Sequence, residues 1–357
     1  MQIKNLTVLI LTYKRHSELK KKILFLKKYN FNFLIIDGSP KALSKHFLNS
    51  HKKINYYHYP TENYHERIFF ATKFIKTKYV KIESDNDYFL PSAMLKSIEI
   101  LDKEKKFSAV IGNCGLYSKY KKNIYVKHLF KFHENIKQED LFFRSNKYMQ
   151  NYSPALYHSV CRTFIFKKNV KLWKKSKKIY GQNFDTFAEI CLPLLCCFNG
   201  KIKHLDYITW IRCDDNIRKR IDYIAIRKAI GEPTNYYILG YKLLKLLNSG
   251  YLNSFISLLI KEMPKTKKDS LAFKKLKLIL KNYYTIGIKN KELSNNFIFK
   301  IIKVFKLFLS SAIKKKIRFF LQLNGPLLKD IYMKTCKVDY KFNKTELKYL
   351  NYHLIKK

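Results

Sequence analysis

The chain has 357 residues, 47% of them hydrophobic, which suffices for one large domain or two ordinary ones and excludes a disordered polypeptide. Lys and Arg number 72 against 26 Asp and Glu, a net charge of +46 that favours an anionic partner: nucleic acid, a phospholipid surface or a phosphorylated substrate. Only 9 of those cations are Arg, and Ile, Asn, Phe and Tyr are also abundant, as in an AT-rich coding sequence, so charge alone selects no partner.

The first hundred residues alternate in type. "LTVLILTY" is a continuous apolar run, as expected of a strand buried on both faces, and "HSELKKKILFLKKYN" follows with helical spacing at Leu19, Ile23 and Leu26. "FNFLIIDGSP" is a second buried strand, stopped by Asp37, Gly38, Ser39 and Pro40. "ALSKHFLN" reads as a helix, "INYYHYP" as a strand and "ENYHERIFFATKFIKT" as a helix with Ile68, Ala71, Phe74 and Ile75 on its apolar side. "YVKIES" is a fourth strand, and "SAMLKSIEILDKE" is a helix whose expected N-cap is Ser92, after Pro91.

From 107 to about 215 the pattern loosens. "FSAVIGNCGLY" and "SVCRTFIF" read as strands, and the polar stretch 118–152 reads as long loops. "NFDTFAEICLPLLCCFNG" is a helix closed by Gly200, with a kink expected at Pro193, and "KIKHLDYITWIR" supplies one or two strands. Seven cysteines without a C-x-x-C pair point to a reducing compartment, with Cys191, Cys196, Cys197 and Cys213 as core thiols rather than metal ligands. Beyond about 220 only helices are expected, including a basic amphipathic one over 297–323. The apolar run at Leu6 to Leu11 is too short for a signal-peptide core, and no stretch approaches the ~20 apolar residues of a spanning helix. The expectation is a cytoplasmic protein, soluble or peripheral on the inner face of the membrane.

Strand and helix repeated without long gaps signify a mainly parallel, Rossmann-like α/β sheet, in which ligands collect at the carboxyl ends of the strands. Three polar clusters fall at such ends: Thr12 to Arg15, Asp37 to Ser39, and Asp85 to Asp87. Two carboxylates at i and i+2 suit a hard divalent cation, Mg²⁺ or Mn²⁺, that keeps positions open for phosphate oxygens. An acidic turn without ligand is the alternative. Asp37 can accept hydrogen bonds from a nucleobase or ribose, or cap the Gly38 turn. Lys14 and Arg15 can face a diphosphate or solvent.

These pieces together resemble the family-2-like nucleotide-sugar glycosyltransferases with a GT-A fold. The resemblance rests on "TVLILTYKR", "FLIIDGS" and "RIFFATKFIKTKYVKIESDNDYFLP", in order, and covers residues 5 to 215. It implies a catalytic domain over 1–220, followed by a basic helical region over 221–357. It also implies donor contacts from Thr12, Arg15, Asp37, Arg67, Asp85 and Arg212, and a metal on Asp85 and Asp87, with Asp87 the direct ligand. The sequence departs from the family pattern at Ile36, where a second acid is common, and at Asn86 within the D-x-D. The family's base opens a helix after the acceptor-side strands. The matching helix carries Asp185 and Glu189, four apart on one face, and Glu189 is favoured as base. His158 and Arg162 are expected on the acceptor side. The implied reaction is inverting transfer of a sugar from a nucleotide-sugar donor to a hydroxyl of a capsule or lipopolysaccharide glycan. A lipid-linked acceptor would give the basic helix an anionic membrane surface to bind. Two rivals remain. A nucleotidyltransferase or other sugar-nucleotide enzyme would carry a Gly-rich phosphate loop, which "LTYKRHS" lacks. A nucleic-acid-binding protein would carry a recognisable module, and none is seen.

Overall fold

The computed structural model describes residues 3–26, 29, 31–49, 54–120, 123–130, 134–150, 152, 154–180, 184–213, 251–264 and 271–294. The expected strands of the first half form as β1 (Ile3–Thr12), β2 (Phe31–Asp37), β3 (Ile54–His58) and β4 (Tyr79–Ser84). They lie in the order β3-β2-β1-β4, every pairing parallel, joined by helices α1 (His16–Leu26), α2 (Lys45–Asn49) and α3 (Tyr64–Ala71). Parallel neighbours need such crossovers, and strands covered on both faces become apolar throughout, as Val8 to Ile10 and Phe33 to Ile36 are. The register sets Thr12 beside Asp37, Asp37 beside His58 and Leu11 beside Ser84, so four strands end at one edge.

The second half completes a mixed, mostly parallel sheet flanked by helices, the Rossmann-like class expected from the sequence. Its elements are β5 (Tyr88–Phe89), α4 (Pro91–Lys103), β6 (Phe107–Tyr120), β7 (Asn123–Phe130) and α5 (Leu141–Gln150). Then come β8 (Val160–Arg162), α6 (Thr163–Tyr180), α7 (Phe184–Asn199) and β9 (Lys201–Cys213). The strand order continues β4-β8-β6-β9-β5, with β7 on β6. β8 is antiparallel to both neighbours, β6 and β9 are parallel, and β5 is antiparallel to β9.

Several expectations are corrected. Ser92 is not the N-cap of α4: Leu90 holds that position without a side-chain bond, and Pro91, with its φ preset, opens the helix. "SVCRTFIF" is a strand only to Arg162, since Ile165, Phe166, Asn169, Val170 and Trp173 form a buried helical stripe. The stretch 118–152 holds β7 and α5 rather than loops alone. "KIKHLDYITWIR", expected as one or two strands, forms one, as that reading allowed.

Helix α7 runs through Pro193 and buries residues all round, Ile190, Leu192, Leu194 and Phe198 among them, because α5 and α6 flank it. Cys191, Cys196 and Cys197 are core thiols there, and burial raises all three thiol pKa values. Two further helices, α8 (Tyr251–Lys261) and α9 (Ala272–Ser294), pack on this layer through Leu252, Phe255, Ile256, Leu259, Leu276 and Leu280. Each such side chain contributes about 1.5–3 kcal/mol. The expected helix at 297–323 lies outside the described residues. No helix among the described residues is long and apolar enough to cross a membrane.

Candidate active site

The site is built at the carboxyl edge of β1, β2 and β4. Thr12 ends β1, and its hydroxyl donates to Asp85 Oδ2 at 2.8 Å. Arg15 opens α1 and sets its guanidinium 3.3 Å from Asp85 Oδ1. Between them Lys14 takes a positive φ of 54° and donates its backbone N–H to Ser39 Oγ at 2.8 Å, which pins the first turn to the second.

Asp37 is fully buried and saturated. Ser39 N–H donates to Oδ1 at 2.9 Å, the Tyr56 hydroxyl donates to Oδ2 at 2.6 Å, and His16 Nε2 lies 2.6 Å from Oδ2. Burial works to raise its pKa, but the bonds from Ser39, Tyr56 and His16 outweigh it and hold the carboxyl below its ordinary range. Gly38 is required by close approach: a Cβ there would meet Thr61 O at 2.1 Å and Arg67 Cδ at 2.7 Å.

Arg67 reaches this edge from α3, whose start is fixed by Asn63 accepting from His65 and Glu66 N–H at 3.0 and 3.1 Å. Its Nη1 donates to Thr12 O, its guanidinium lies 5.6 Å from the Tyr13 ring centre, and its buried Nε has no partner among the described residues. Burial lowers its pKa, opposed by Tyr64, Asp85 and Asp37.

The two aspartates of "SDND" differ. Asp85 is bonded on both oxygens, and its pKa is raised because burial outweighs Arg15 and Thr12. Asp87 is 1% exposed, and neither of its oxygens accepts a hydrogen bond among the described residues. Arg212 Nε stands 3.4 Å from Asp87 Oδ2. Burial pushes Asp87 up to about 6 despite Arg212, with Glu83 adding to the rise. The pairing follows from register, since Tyr88 faces Ile211 and Phe89 faces Trp210 in the β5–β9 ladder. The Asn86 amide oxygen accepts from Ser84 Oγ at 2.6 Å.

Thr12, Arg15, Asp37, Arg67, Asp85, Asp87 and Arg212 therefore gather at one edge. His158 joins their flank, its ring stacked on Trp210 at 3.9 Å, and burial with Lys81 and Arg212 nearby holds its pKa well below the ordinary value. Arg162 does not join them. Antiparallel β8 ends beside Tyr79, at the opposite edge, where Arg162 donates to Phe107 O and Leu101 O at 2.8 Å and ties α4 to β6. Asp185 and Glu189 lie in the first turns of α7. That end of α7 is on the site's side: Trp173 Nε1 donates to Ala188 O at 3.0 Å and packs against His65 at 5.0 Å, while Lys177 pairs with Glu66 at the start of α3.

Lys22 went unread in the sequence, yet it lies directly behind the acidic turn, fully buried, on the stripe Leu19, Lys22, Ile23, Leu26. A lysine at the i+3 position of an apolar helical face was the available signal.

A divalent cation would draw on Asp87, whose oxygens accept no hydrogen bond among the described residues although Arg212 stands 3.4 Å from one of them, and on Asp85, whose oxygens already meet Thr12 and Arg15. Mg²⁺ commonly takes one or two carboxylates, with phosphate and water completing the shell. Among the described residues no group of three or more His, Cys, Asp and Glu side chains converges, so these two are the acids that the described residues would supply.

No protein-family model and no curated protein matches this sequence. Among solved structures, the chain is similar to S. aureus TarS, at 15% identity and a TM-score of 0.41 over 81% of this chain and 54% of that one. It is also similar to residues 1-349 of TarS, at 13% identity and a TM-score of 0.42 over 82% and 92% of the two chains. The third is TarS 1-349 in complex with UDP-GlcNAc, at 13% identity and a TM-score of 0.38 with the same coverage. The chain thus spans little more than half the length of the first of these.

Proposed function

We propose that this chain is an inverting glycosyltransferase. It would move a sugar from a nucleotide-sugar donor to a hydroxyl of a surface glycan, such as capsule or lipopolysaccharide. The observation that carries the reading is the Asp87 carboxylate, buried opposite Arg212 with no hydrogen bond among the described residues, at the edge where Asp85 and Asp37 also lie. Burying a carboxylate without a partner is costly, and a bound cation is one way in which such a group is satisfied.

In this reading Asp37, with His16 and Tyr56, shapes the nucleoside end, and Arg15, Arg67 and Arg212 face the diphosphate. Asp87, with Asp85, would hold Mg²⁺ or Mn²⁺, which supplies Lewis-acid neutralisation of the leaving diphosphate. The acceptor oxygen attacks the anomeric carbon as the bond to the diphosphate oxygen breaks. Glu189, or Asp185 one turn earlier, takes the hydroxyl proton. Arg212 stabilises the departing charge with a fork of donors that Lys cannot reproduce. The catalytic unit would span 1–220, and the basic region over 221–357 would meet the acceptor-bearing membrane surface.

The test is a panel of UDP-, GDP-, CMP- and dTDP-sugars with Mn²⁺ or Mg²⁺, run on the wild type and Asp87→Asn. Metal-dependent turnover abolished in the variant is expected. Absence of turnover with every donor, or full activity in the variant, refutes the reading. Glu189→Gln is expected to keep donor binding and lose transfer by about 10²–10⁴-fold; unchanged transfer moves the base to Asp185.

A further inference from the structure

We infer that Lys22 is a positioning residue that sets the shape of the acidic turn 84–87 by clamping both of its ends. Its Nζ donates to Ser84 O at 2.5 Å and to Asp87 O, the first and last carbonyls of the turn. The third direction faces Glu83 Oε1 at 3.6 Å. An ammonium has three donors and no acceptor; two of them go to the turn's carbonyls, while Glu83 at 3.6 Å is an ion-pair partner beyond hydrogen-bond distance. Tyr88, whose ring centre is 5.9 Å from the ammonium, closes the remaining side.

A fully buried lysine is costly, and replacing a whole buried ion pair by apolar residues is often neutral or stabilising. What an apolar residue cannot do is hold two carbonyls three residues apart. In a tight turn the first carbonyl commonly accepts from the fourth residue's own N–H. Here a side chain from another element is bonded to both ends, so the turn's width is set by the position of α1. Asp85 and Asp87 both project from that span, and the start of α1 places His16, with Arg15 just before it, against Asp37 and Asp85. One rigid helix thus fixes the turn from behind and its carboxylates from the front. Glu83 serves a separate purpose: it balances Lys22 and, at 3.1 Å, Lys81, whose Nζ donates to His158 O at 2.5 Å.

The functional half of this inference rests on the donor-site reading above, so two readouts are taken on the full chain. The first is hydrogen exchange of the segment 84–90 relative to β2, without ligand. The second is binding of UDP and GDP with Mn²⁺. Lys22→Met is expected to accelerate exchange in 84–90 about tenfold over β2 and to weaken nucleotide binding about tenfold. Glu83→Gln leaves both carbonyl bonds in place, so it is expected to lower global stability while the exchange of 84–90 relative to β2 and nucleotide binding stay near the wild type. Lys22→Met leaves Glu83 paired with Lys81 at 3.1 Å, and Lys22→Met/Glu83→Gln separates loss of the clamp from loss of the Lys22–Glu83 pair, so both variants should show both defects. Exchange in 84–90 that rises no more than in β2 overturns the clamp. Nucleotide binding at wild-type strength in the double variant overturns the positioning role. If the wild type binds no nucleotide, the donor-site reading fails, and the exchange ratio alone decides the clamp.

Discussion

Replacing Asp87 by Asn should cost function and gain stability. The carboxyl is 1% exposed, and burial lifts its pKa to about 6, against an ordinary aspartate value of about 3.8. A raised carboxylate pKa means that the folded state holds its proton where the unfolded chain has released it. Stability therefore falls as pH rises from the unfolded value to the folded one and is flat above it. At about 1.4 kcal/mol per pH unit, the loss is about 1 kcal/mol by pH ~4.5 and close to 3 kcal/mol by pH ~7. Asn carries no such penalty and keeps nearly the same volume. In urea unfolding followed at both pH values, Asp87→Asn should gain about 2 kcal/mol relative to the wild type between pH ~4.5 and pH ~7. Using the difference between the two proteins cancels every other carboxylate that titrates in this window. A difference that does not change with pH would refute the claim that Asp87 is a strained, unsatisfied charge. The same variant should be inactive in sugar transfer, so a gain in stability with a loss of turnover separates this site from an ordinary structural turn.

Other outcomes follow from neighbouring geometry. Lys14→Asn should stabilise the chain by about 0.5–1 kcal/mol in urea unfolding, because Asn tolerates the 54° φ that strains Lys. Gly38→Ala should destabilise it by about 1–3 kcal/mol, since the new methyl meets Thr61 O and Arg67 Cδ inside van der Waals distance. Tyr56→Phe takes a hydrogen bond from a fully buried carboxylate and should cost about 1–3 kcal/mol, with the acid unfolding midpoint moved to higher pH.

The first half of the fold was readable because each crossover unit obeys a local rule: an apolar strand, a polar stop, an amphipathic helix. Those rules place the chemistry at strand ends, which is how Thr12, Asp37, Asp85 and Asp87 could be picked out. Arg162 misled for a topological reason. A strand-end residue lies at the functional edge only if its strand runs parallel to the rest, and direction is set by pairing with β4, which local sequence does not encode. The segment after Arg162 misled for a periodic one, since short apolar runs suit a buried strand or a buried helix equally. Lys22 was hidden because lysine is by default a solvent residue, and only its place on the Leu19, Ile23, Leu26 stripe distinguishes it. Arg212 was found as a candidate, but its partner was not, since the β5–β9 pairing joins segments far apart in the chain.

That two-residue ladder also gives the protein an optical handle. Trp210 faces Phe89 within it, completely buried, with the His158 ring stacked at 3.9 Å and the Arg212 guanidinium 5.4 Å from its ring centre. The chain has two tryptophans, and Trp173 lies on the other flank, against His65 and Ala188 O. An anion drawing Arg212 away from Asp87 would shift the field across the Trp210 indole. With Trp173 replaced by Phe, its emission would follow occupancy of the site in real time, without a labelled sugar or a known acceptor.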